Sequence, residues 1–256
     1  MQENIGIKWG FEVQKYRVIP GRSLSRKTPH QRIPGARFSK EGDLWVPNSR
    51  LITGDNLIMD AAQQELIKIW RFISGSVRQI QKLAVGSGFV DPTRTDTTLE
   101  TELAVKNIES WVDAALPPDS VNLSETKAVV VWLSLEANGV ISEIRLKFDD
   151  DSLVTHALFK KLTISNATQA NPVVITTTAN HGLGTGDEVH IDNVVGMTEI
   201  NNRNFQITLV DPDEFSLDGE DGTGHTAYSS VGNAWLIVVK GTDEVVETRY
   251  VITVQS

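Results

Sequence analysis

The sequence predicts a mainly β protein with one prominent α-helix, built as a β-sandwich-like host domain that a small β-barrel interrupts. Three observations predict this class. Short alternating or apolar runs, punctuated by Gly, Asn and Asp, fill most of the chain beyond residue 81. Asn138-Gly139 stands between two such runs, which is a strong short-range hairpin signal. A single stretch, 55–75, carries an apolar stripe at helical spacing.

Taken in order, "IGIKWGFEVQKYRVI" (5–19) alternates well enough for a first strand or two. "GRSLSRKTPHQRIPGARFSKEGD" (21–43) reads as a long irregular connection, of the kind that is functional or ordered by a partner. "DNLIMDAAQQELIKIWRFISG" (55–75) is the helix. Asp55 is its N-cap, Asp60 favours the positive end of the dipole, and Gly75 suits the left-handed stop. Ile58, Ala62, Leu66, Ile69, Trp70 and Ile73 form the stripe, which reads as core rather than as a binding face. "KLAVGSG" (82–88) is a short strand running into a glycine turn. "AVVVWLSLEANGVISEIRLKF" (128–148) is a strand, a tight turn and a second strand. "HALFKKLTIS" (156–165) is one further strand, and "AWLIVVKGTDEVVETRYVITVQS" (234–256) supplies two around "KGTDE". Between them, 166–233 is rich in Asn, Thr, Gly and Asp, with short strands at a spacing that fits a small barrel or sandwich.

Composition bounds the function. The chain has 256 residues, 40% hydrophobic and 22% charged, ordinary values for a soluble globular protein able to bury a sizeable core. Cysteine is absent, so disulfides, thiolate metal sites and a cysteine nucleophile are excluded. The N-terminus lacks a basic-then-apolar signal pattern and no apolar run reaches membrane-spanning length, so a soluble protein without a membrane association is expected. The net charge of −9 is unevenly spread. Residues 1–40 carry nine Lys and Arg against Glu3 and Glu12, a balance of +7, which leaves −16 for the remainder. The basic arm also holds Trp9, Phe11, Tyr16, Ile19 and Phe38, which a purely electrostatic tail would hardly need. Docking onto protein, such as the acidic face of a neighbouring copy, is therefore expected over nucleic-acid binding. Arg17, Arg22, Arg26, Lys27, Arg32 and Arg37 are the candidate assembly contacts.

Within 169–235 the residues run "ANPVVIT", then "HGL..GD.V.I", then "VGMTE.N...F.I", then "D.F.LDG.DGTG...Y...G.A". This order resembles a small β-barrel module common in bacteriophage structural proteins, related to the β-barrel half-domain of ubiquitin-activating enzymes. The resemblance implies a spacer, decoration or interaction element; this copy carries no cysteine and no adenylation machinery. A second set of segments, "LITGDNLIMDAAQQELIKI", "IQKLAVGSGFVDPTRTDTTLETEL", "LSLEANGVISEIRLKF", "HALFKKLTIS" and "TDEVVETRYVITV", is similar in order and spacing to phage tail-fibre and tail-collar proteins. Together the two resemblances imply an N-terminal strand and basic arm (1–50), a discontinuous β-rich fibre or collar domain (51–165 and 236–256) and an inserted barrel (166–235).

Candidate chemistry is weighed residue by residue. "HGLGTGDEVH" offers His181, Asp187, Glu188 and His190, but along a strand these alternate faces, and a metal needs converging ligands. Its glycines suit a tight turn, and it lacks the helix and downstream acid of a nucleotide fingerprint. "FDDDS" (148–152) and "DPDEFSLDGEDGTG" (211–224) lack the spacing of a calcium loop and read as solvated turns. No "GxSxG" elbow and no internal repeat of a β-helical depolymerase occurs. No catalytic residue, cofactor or metal is therefore expected. Tyr228, in "GTGHTAYSS", is the candidate for stacking against a host-surface glycan.

The expected function is that of a non-enzymatic bacteriophage virion protein made in the host cytoplasm. Its expected place is the tail, as fibre base, collar or baseplate component, in contact with other virion proteins. A symmetric homo-oligomer, a trimer among the options, fits that class. A capsid decoration or head-fibre protein, and a host-glycan adhesin, are the alternatives.

Overall fold

The computed structural model describes residues 6–19, 37–38, 43–55, 57–60, 62–64, 78–113 and 123–255. The chain divides into two compact units, Met1–Leu158 with Lys240–Ser256, and Phe159–Val239. The first unit holds β1 (Gly6–Ile19), β2 (Arg37–Phe38), β3 (Leu44–Pro47), β4 (Ile52–Asp55), β5 (Leu57–Ile58) and β6 (Ile80–Gly86). It continues with β7 (Glu102–Asn107), β8 (Ser110–Asp113), β9 (Leu123–Trp132), β10 (Gly139–Ile141), β11 (Glu143–Phe148) and β12 (Thr155–Leu158). The second unit holds β13 (Lys160–Ala167), β14 (Val174–Thr177), β15 (Glu188–Asp192), β16 (Arg203–Asp211), β17 (Glu214–Leu217) and β18 (Asn233–Lys240). The last strand, β19 (Glu244–Gln255), returns to the first unit.

In the first unit one sheet runs β2-β3-β1-β19-β9-β8, with β4 also paired to β1. Its backbone is the antiparallel ladder between β1 and β19, from Gly6 opposite Gln255 to Arg17 opposite Glu244. Period-two alternation turns Trp9, Phe11 and Val13 of β1 inward, with Ala128, Val130 and Trp132 of β9 and Val246, Thr248 and Tyr250 of β19. Trp132 is 1% exposed, and its indole N–H donates to the Thr248 hydroxyl at 3.0 Å. A second sheet runs β5-β12-β11-β6-β7 and buries Leu83, Val85, Ile144, Leu146 and Ala157. Burial raises the Tyr250 phenol pKa well above its ordinary value, with Thr155 of this second sheet facing it.

The second unit is a closed barrel. Its strands run β15-β16-β17-β14-β13-β18, and β18 pairs with β15 to complete the circuit. Closure leaves no sheet edge within it. Alternate residues fill the interior, among them Ile164, Ile175, Val189, Ile191, Phe205, Ile207, Phe215, Leu217 and Ala234. Gly196 (φ 97°) is required where two loops meet, because a Cβ there would overlap the Ala227 carbonyl oxygen.

Several sequence expectations are corrected here. The prominent helix over 55–75 is not found: among the described residues no helix reaches seven residues. Asp55 ends β4 opposite Gly10, and Leu57 and Ile58 form β5 against β12, so the proposed cap and first turn are strand. A single helical turn follows, in which the Gln63 N–H donates to the Met59 carbonyl at 3.2 Å. Asp60 pairs with Arg94 at 2.6 Å, a lateral contact instead of a dipole interaction. Residues 65–77, with Leu66, Ile69, Trp70, Ile73 and Gly75, lie outside the described residues. The paired strands around Asn138-Gly139 are also not a hairpin. β9 lies between β19 and β8, whereas β11 lies between β6 and β12, so the turn carries the chain from one sheet to the other. It is fixed by the Lys240 ammonium, which donates to Asn138 Oδ1 at 2.7 Å and to the Ser134 carbonyl at 3.3 Å. The run 156–165 splits at its middle into β12 of the first unit and β13 of the barrel.

Because Trp132 is enclosed and hydrogen-bonded, Trp132→Ala is expected to cost about 3–5 kcal/mol. A denaturant titration checks this; a loss under about 1 kcal/mol, on the scale of an ordinary surface substitution, would show that the inner face of this sheet is not the core.

Candidate functional site

The most concentrated ionisable chemistry lies on the second sheet of the first unit. β11 buries all six of its residues, so its polar side, Glu143, Arg145 and Lys147, is enclosed as fully as its apolar side. Glu143 is 0% exposed. Its Oε1 accepts from the Gly88 N–H at 2.9 Å and the Thr101 N–H at 3.3 Å, and its Oε2 meets His156 Nε2 at 2.8 Å. The other imidazole nitrogen meets Asp96 Oδ2 at 3.1 Å. The Thr93 hydroxyl and N–H both donate to the Asp96 carboxylate, and these bonds with His156 hold its pKa below the ordinary value against the opposing effect of burial. Gly86 and Gly88 are required here, because a Cβ on either would strike the Glu143 carboxylate. The "GSG...PT..D" segment is therefore a lid that wraps a buried carboxylate.

Arg145 is 1% exposed and none of its guanidinium nitrogens has a hydrogen-bond partner. Burial pushes its pKa down to about 10, while Glu102, 3.7 Å away, opposes the shift. Glu102 also pairs with Lys147 at 3.0 Å. The cluster thus consists of mutually compensating charges, and the His156 ring is held between two carboxylates. That arrangement clamps a loop. The sequence reading missed these residues because an E-I-R-L-K-F alternation looks like a strand with one face in water; His156 and Asp96 were the only available signals.

The barrel gives each polar side chain of "HGLGTGDEVH" a separate task. His181 is 0% exposed; its Nε2 faces the Asp211 and Glu214 carbonyls at 3.1 and 3.3 Å, and its Nδ1 accepts from the Leu183 N–H at 3.0 Å. Asp187 accepts from the Gly184 N–H at 2.8 Å, Glu188 from the Val239 N–H at 2.8 Å, and His190 meets Asn204 at 2.7 Å. Each side chain fastens a different stretch of backbone or a neighbouring strand. Among the described residues no group of three or more His, Cys, Asp or Glu could hold a metal. In the two acidic turns, Asp150 binds Ser152 and Arg78, and Asp221 binds Thr223.

On the barrel, Arg203 joins Glu220 through two bonds of 2.6 and 2.5 Å, with His225 on the same carboxylate at 2.8 Å. The Arg203 guanidinium, then His225, hold the Glu220 carboxyl below its ordinary value of 4.5. Tyr228, the glycan candidate, is half-buried, and its hydroxyl donates to the Ile164 carbonyl at 3.1 Å. The hydroxyl therefore ties a loop to β13, and only the ring remains to meet a sugar.

Of the arm candidates, Arg17 is exposed on β1, and Arg37 lies in β2 opposite Trp45. Arg22, Arg26, Lys27 and Arg32 lie outside the described residues.

Comparison with known proteins places the barrel. Residues 169–236 match the ubiquitin-activating enzyme E1 FCCH domain. Human ubiquitin-like modifier-activating enzyme 6 is 34% identical over 135 residues, covering 50% of this chain and 12% of that protein. The mouse protein of the same name is 32% identical over 93 residues, covering 34% of this chain and 9% of its own length. The chain thus spans about a tenth of the length of these relatives.

The Glu220 pair has a pH signature. A carboxyl depressed in the folded state stabilises above its unfolded pKa and loses that contribution as pH falls through the depressed value. Glu220→Gln is expected to cost about 1 kcal/mol at neutral pH, discounted because Arg203 is half-exposed. The difference from the parent should shrink below pH 4.5. Urea titrations across pH check this; a difference that stays constant would remove the ionic account.

Proposed function

We propose that this chain is a non-enzymatic structural component of a bacteriophage virion, placed in the tail as fibre base, collar or baseplate, and acting by assembly contacts. The observation that carries the reading is the barrel itself. An E1 FCCH-type unit closes on itself within Phe159–Val239, and the strands before and after it belong to a separate β-rich unit. A closed barrel offers loops and outer faces without free edges, which suits a projecting spacer or decoration. The "GSG...PT..D" segment, read in the sequence as part of a fibre or collar pattern, supports the same reading, since its Asp96 and its glycines serve to pack a loop around Glu143.

In this reading the basic arm meets an acidic surface of a neighbouring copy or of another virion protein, so that charge guides encounter and apolar burial holds the contact. A protein surface is favoured over nucleic acid because the arm interleaves apolar residues, among them Trp9, Phe11 and Tyr16, with its charges. The named activity of the matched relatives, modifier activation, belongs to proteins of which this chain spans 12% and 9%, and it is not carried over.

The test is gold labelling of intact particles with antibody against this chain, viewed by electron microscopy. Label at the tail tip or collar is the expected result. Label scattered over the head would replace the tail assignment with capsid decoration, and particles without label would end the virion reading.

A further inference from the structure

Lys240 is the least exposed lysine among the described residues, at 2%. Lys82, Lys106, Lys127 and Lys147 each have a carboxylate oxygen within 3.0 Å. The three oxygens that take the hydrogen bonds of Lys240 are neutral: Asn138 Oδ1 at 2.7 Å, and the Ser134 and Gly241 carbonyls, each at 3.3 Å. Burial pushes the Lys240 pKa down, against the opposing charges of Glu244, Glu136 and Asp243. A desolvated lysine amine is a nucleophile once its proton has gone. The closest group to it is a side-chain amide, whose carbon is an electrophile.

The turn between β9 and β10 holds that amide in place. The Leu133 N–H donates to Glu136 Oε2 at 2.9 Å, and the Glu136 N–H donates to the Leu133 carbonyl at 2.9 Å. Ala137 and Gly139, on either side of Asn138, both have positive φ, 50° and 119°. A residue with a Cβ, such as Ala137, adopts that conformation only where its surroundings impose it. Asn138, Ser134, Lys240 and Gly241 all belong to the first unit. A C=O bond is about 1.2 Å long, so an oxygen 2.7 Å from Nζ puts the Asn138 side-chain carbon roughly 3–4 Å from it. Reacting atoms held about 3–3.5 Å apart are at the distance from which attack begins.

We propose that Lys240 and Asn138 join through an intramolecular isopeptide bond. The neutral Lys240 amine attacks Asn138 Cγ, and a bond forms between Nζ and Cγ. The amine proton passes to the amide nitrogen, the Cγ–Nδ2 bond breaks, and ammonia leaves. Oδ1 remains as the carbonyl oxygen of the new amide. Nothing is oxidised or reduced, and no co-reactant is consumed. Glu136 is the proton carrier: its bonds to the Leu133 N–H and the Lys106 ammonium use Oε2, and its charge acts on Lys240. The product replaces a buried cation with a neutral amide, which removes the cost of holding that charge out of water. The bond joins residues 102 positions apart and closes the stretch of chain that carries the inserted barrel. A disulfide does the same in chains that have cysteine; this one has none. The proposal goes beyond the assembly reading and does not rest on it.

Mass spectrometry of the denatured full chain tests it. The parent is expected to be lighter than its sequence by one ammonia. Its tryptic digest is expected to contain a branched peptide that joins 128–145 to 204–249 and is uncut after Lys240. Asn138→Ala and Lys240→Met are each expected to keep the full mass of their sequences. Glu136→Gln can still accept from the Leu133 N–H, and is expected to slow the appearance of the branched peptide in freshly refolded chain at least about tenfold, with circular dichroism unchanged. A parent that stays at its full sequence mass after days at neutral pH overturns the proposal. So does a branched peptide that persists in Asn138→Ala, or a loss of ammonia without any branched peptide, which marks a succinimide between Asn138 and the Gly139 nitrogen. An undiminished rate in Glu136→Gln overturns the assignment of the proton carrier. The mass of the parent decides the bond whether or not a variant folds. None of these results depends on where particles bind antibody, so this proposal and the virion reading can fail separately.

Discussion

The ladder between β1 and β19 is the constraint on which the first unit depends. It pairs the earliest described strand with the last over twelve positions, and β19 then hands the sheet on to β9. Without β19, β1 would keep only the short partners β3 and β4, and β9 only β8. The enclosed side chains of this sheet, Phe11, Val13, Trp132, Val246 and Tyr250, come from those three strands. A sequence inserted ahead of β19 is compatible with this arrangement only if it returns the chain in register. The barrel suits that demand through its own topology: β13 and β18, which begin and end it, are hydrogen-bonded neighbours, with Lys160 opposite Leu236. Guests whose ends lie side by side are the ones that insertion tolerates.

The two units solve the problem of polar burial in different ways. In the barrel, buried polar side chains such as His181 and Asp187 each satisfy nearby backbone groups, so that tight turns keep their shape. In the first unit, a full row of charged side chains on β11 is taken out of water, and the balance is achieved among Glu143, His156, Asp96, Glu102, Arg145 and Lys147. Such clusters gain little net stability over an apolar core, yet removing one member leaves an uncompensated charge. They specify one arrangement of the loop that covers them. Arg145, with no hydrogen-bond partner, is where that compensation is least complete.

Much of the fold was legible because alternation and turn chemistry are local. The strands of the barrel, the turn at "KGTDE" and the positive backbone angles of Gly182 and Gly186 in "HGLGTGDEVH" all follow from residue spacing, whereas Gly184 does not adopt one. What failed did so for non-local reasons. Ile58 sits at helical spacing from Ala62, but pairing of Leu57 and Ile58 with His156 and Thr155 decides their conformation, and no local pattern contains that partner. Asn138-Gly139 forms a turn of the expected sharpness, yet its flanking strands find partners elsewhere in the chain, and Lys240, a hundred residues on, fixes its geometry. The charged row of β11 was invisible for the same reason: the lid that encloses it lies more than forty residues upstream. Tyr228 was correctly read as lying in a loop, but the bond that occupies its hydroxyl comes from Ile164, in a strand sixty-four residues earlier.

The distance between β1 and β19 has a consequence for biosynthesis. On a ribosome adding roughly 5–20 residues per second, the partner of β1 emerges about 12–48 s after β1 itself. Throughout that interval the inward face of β1, with Trp9, Phe11 and Val13, has no central neighbour. Every strand of the barrel, by contrast, falls between Lys160 and Lys240, so all its partners emerge within about 4–16 s of one another. The strands of the inserted unit therefore find their partners within a span of chain about a third as long as the one that separates β1 from β19.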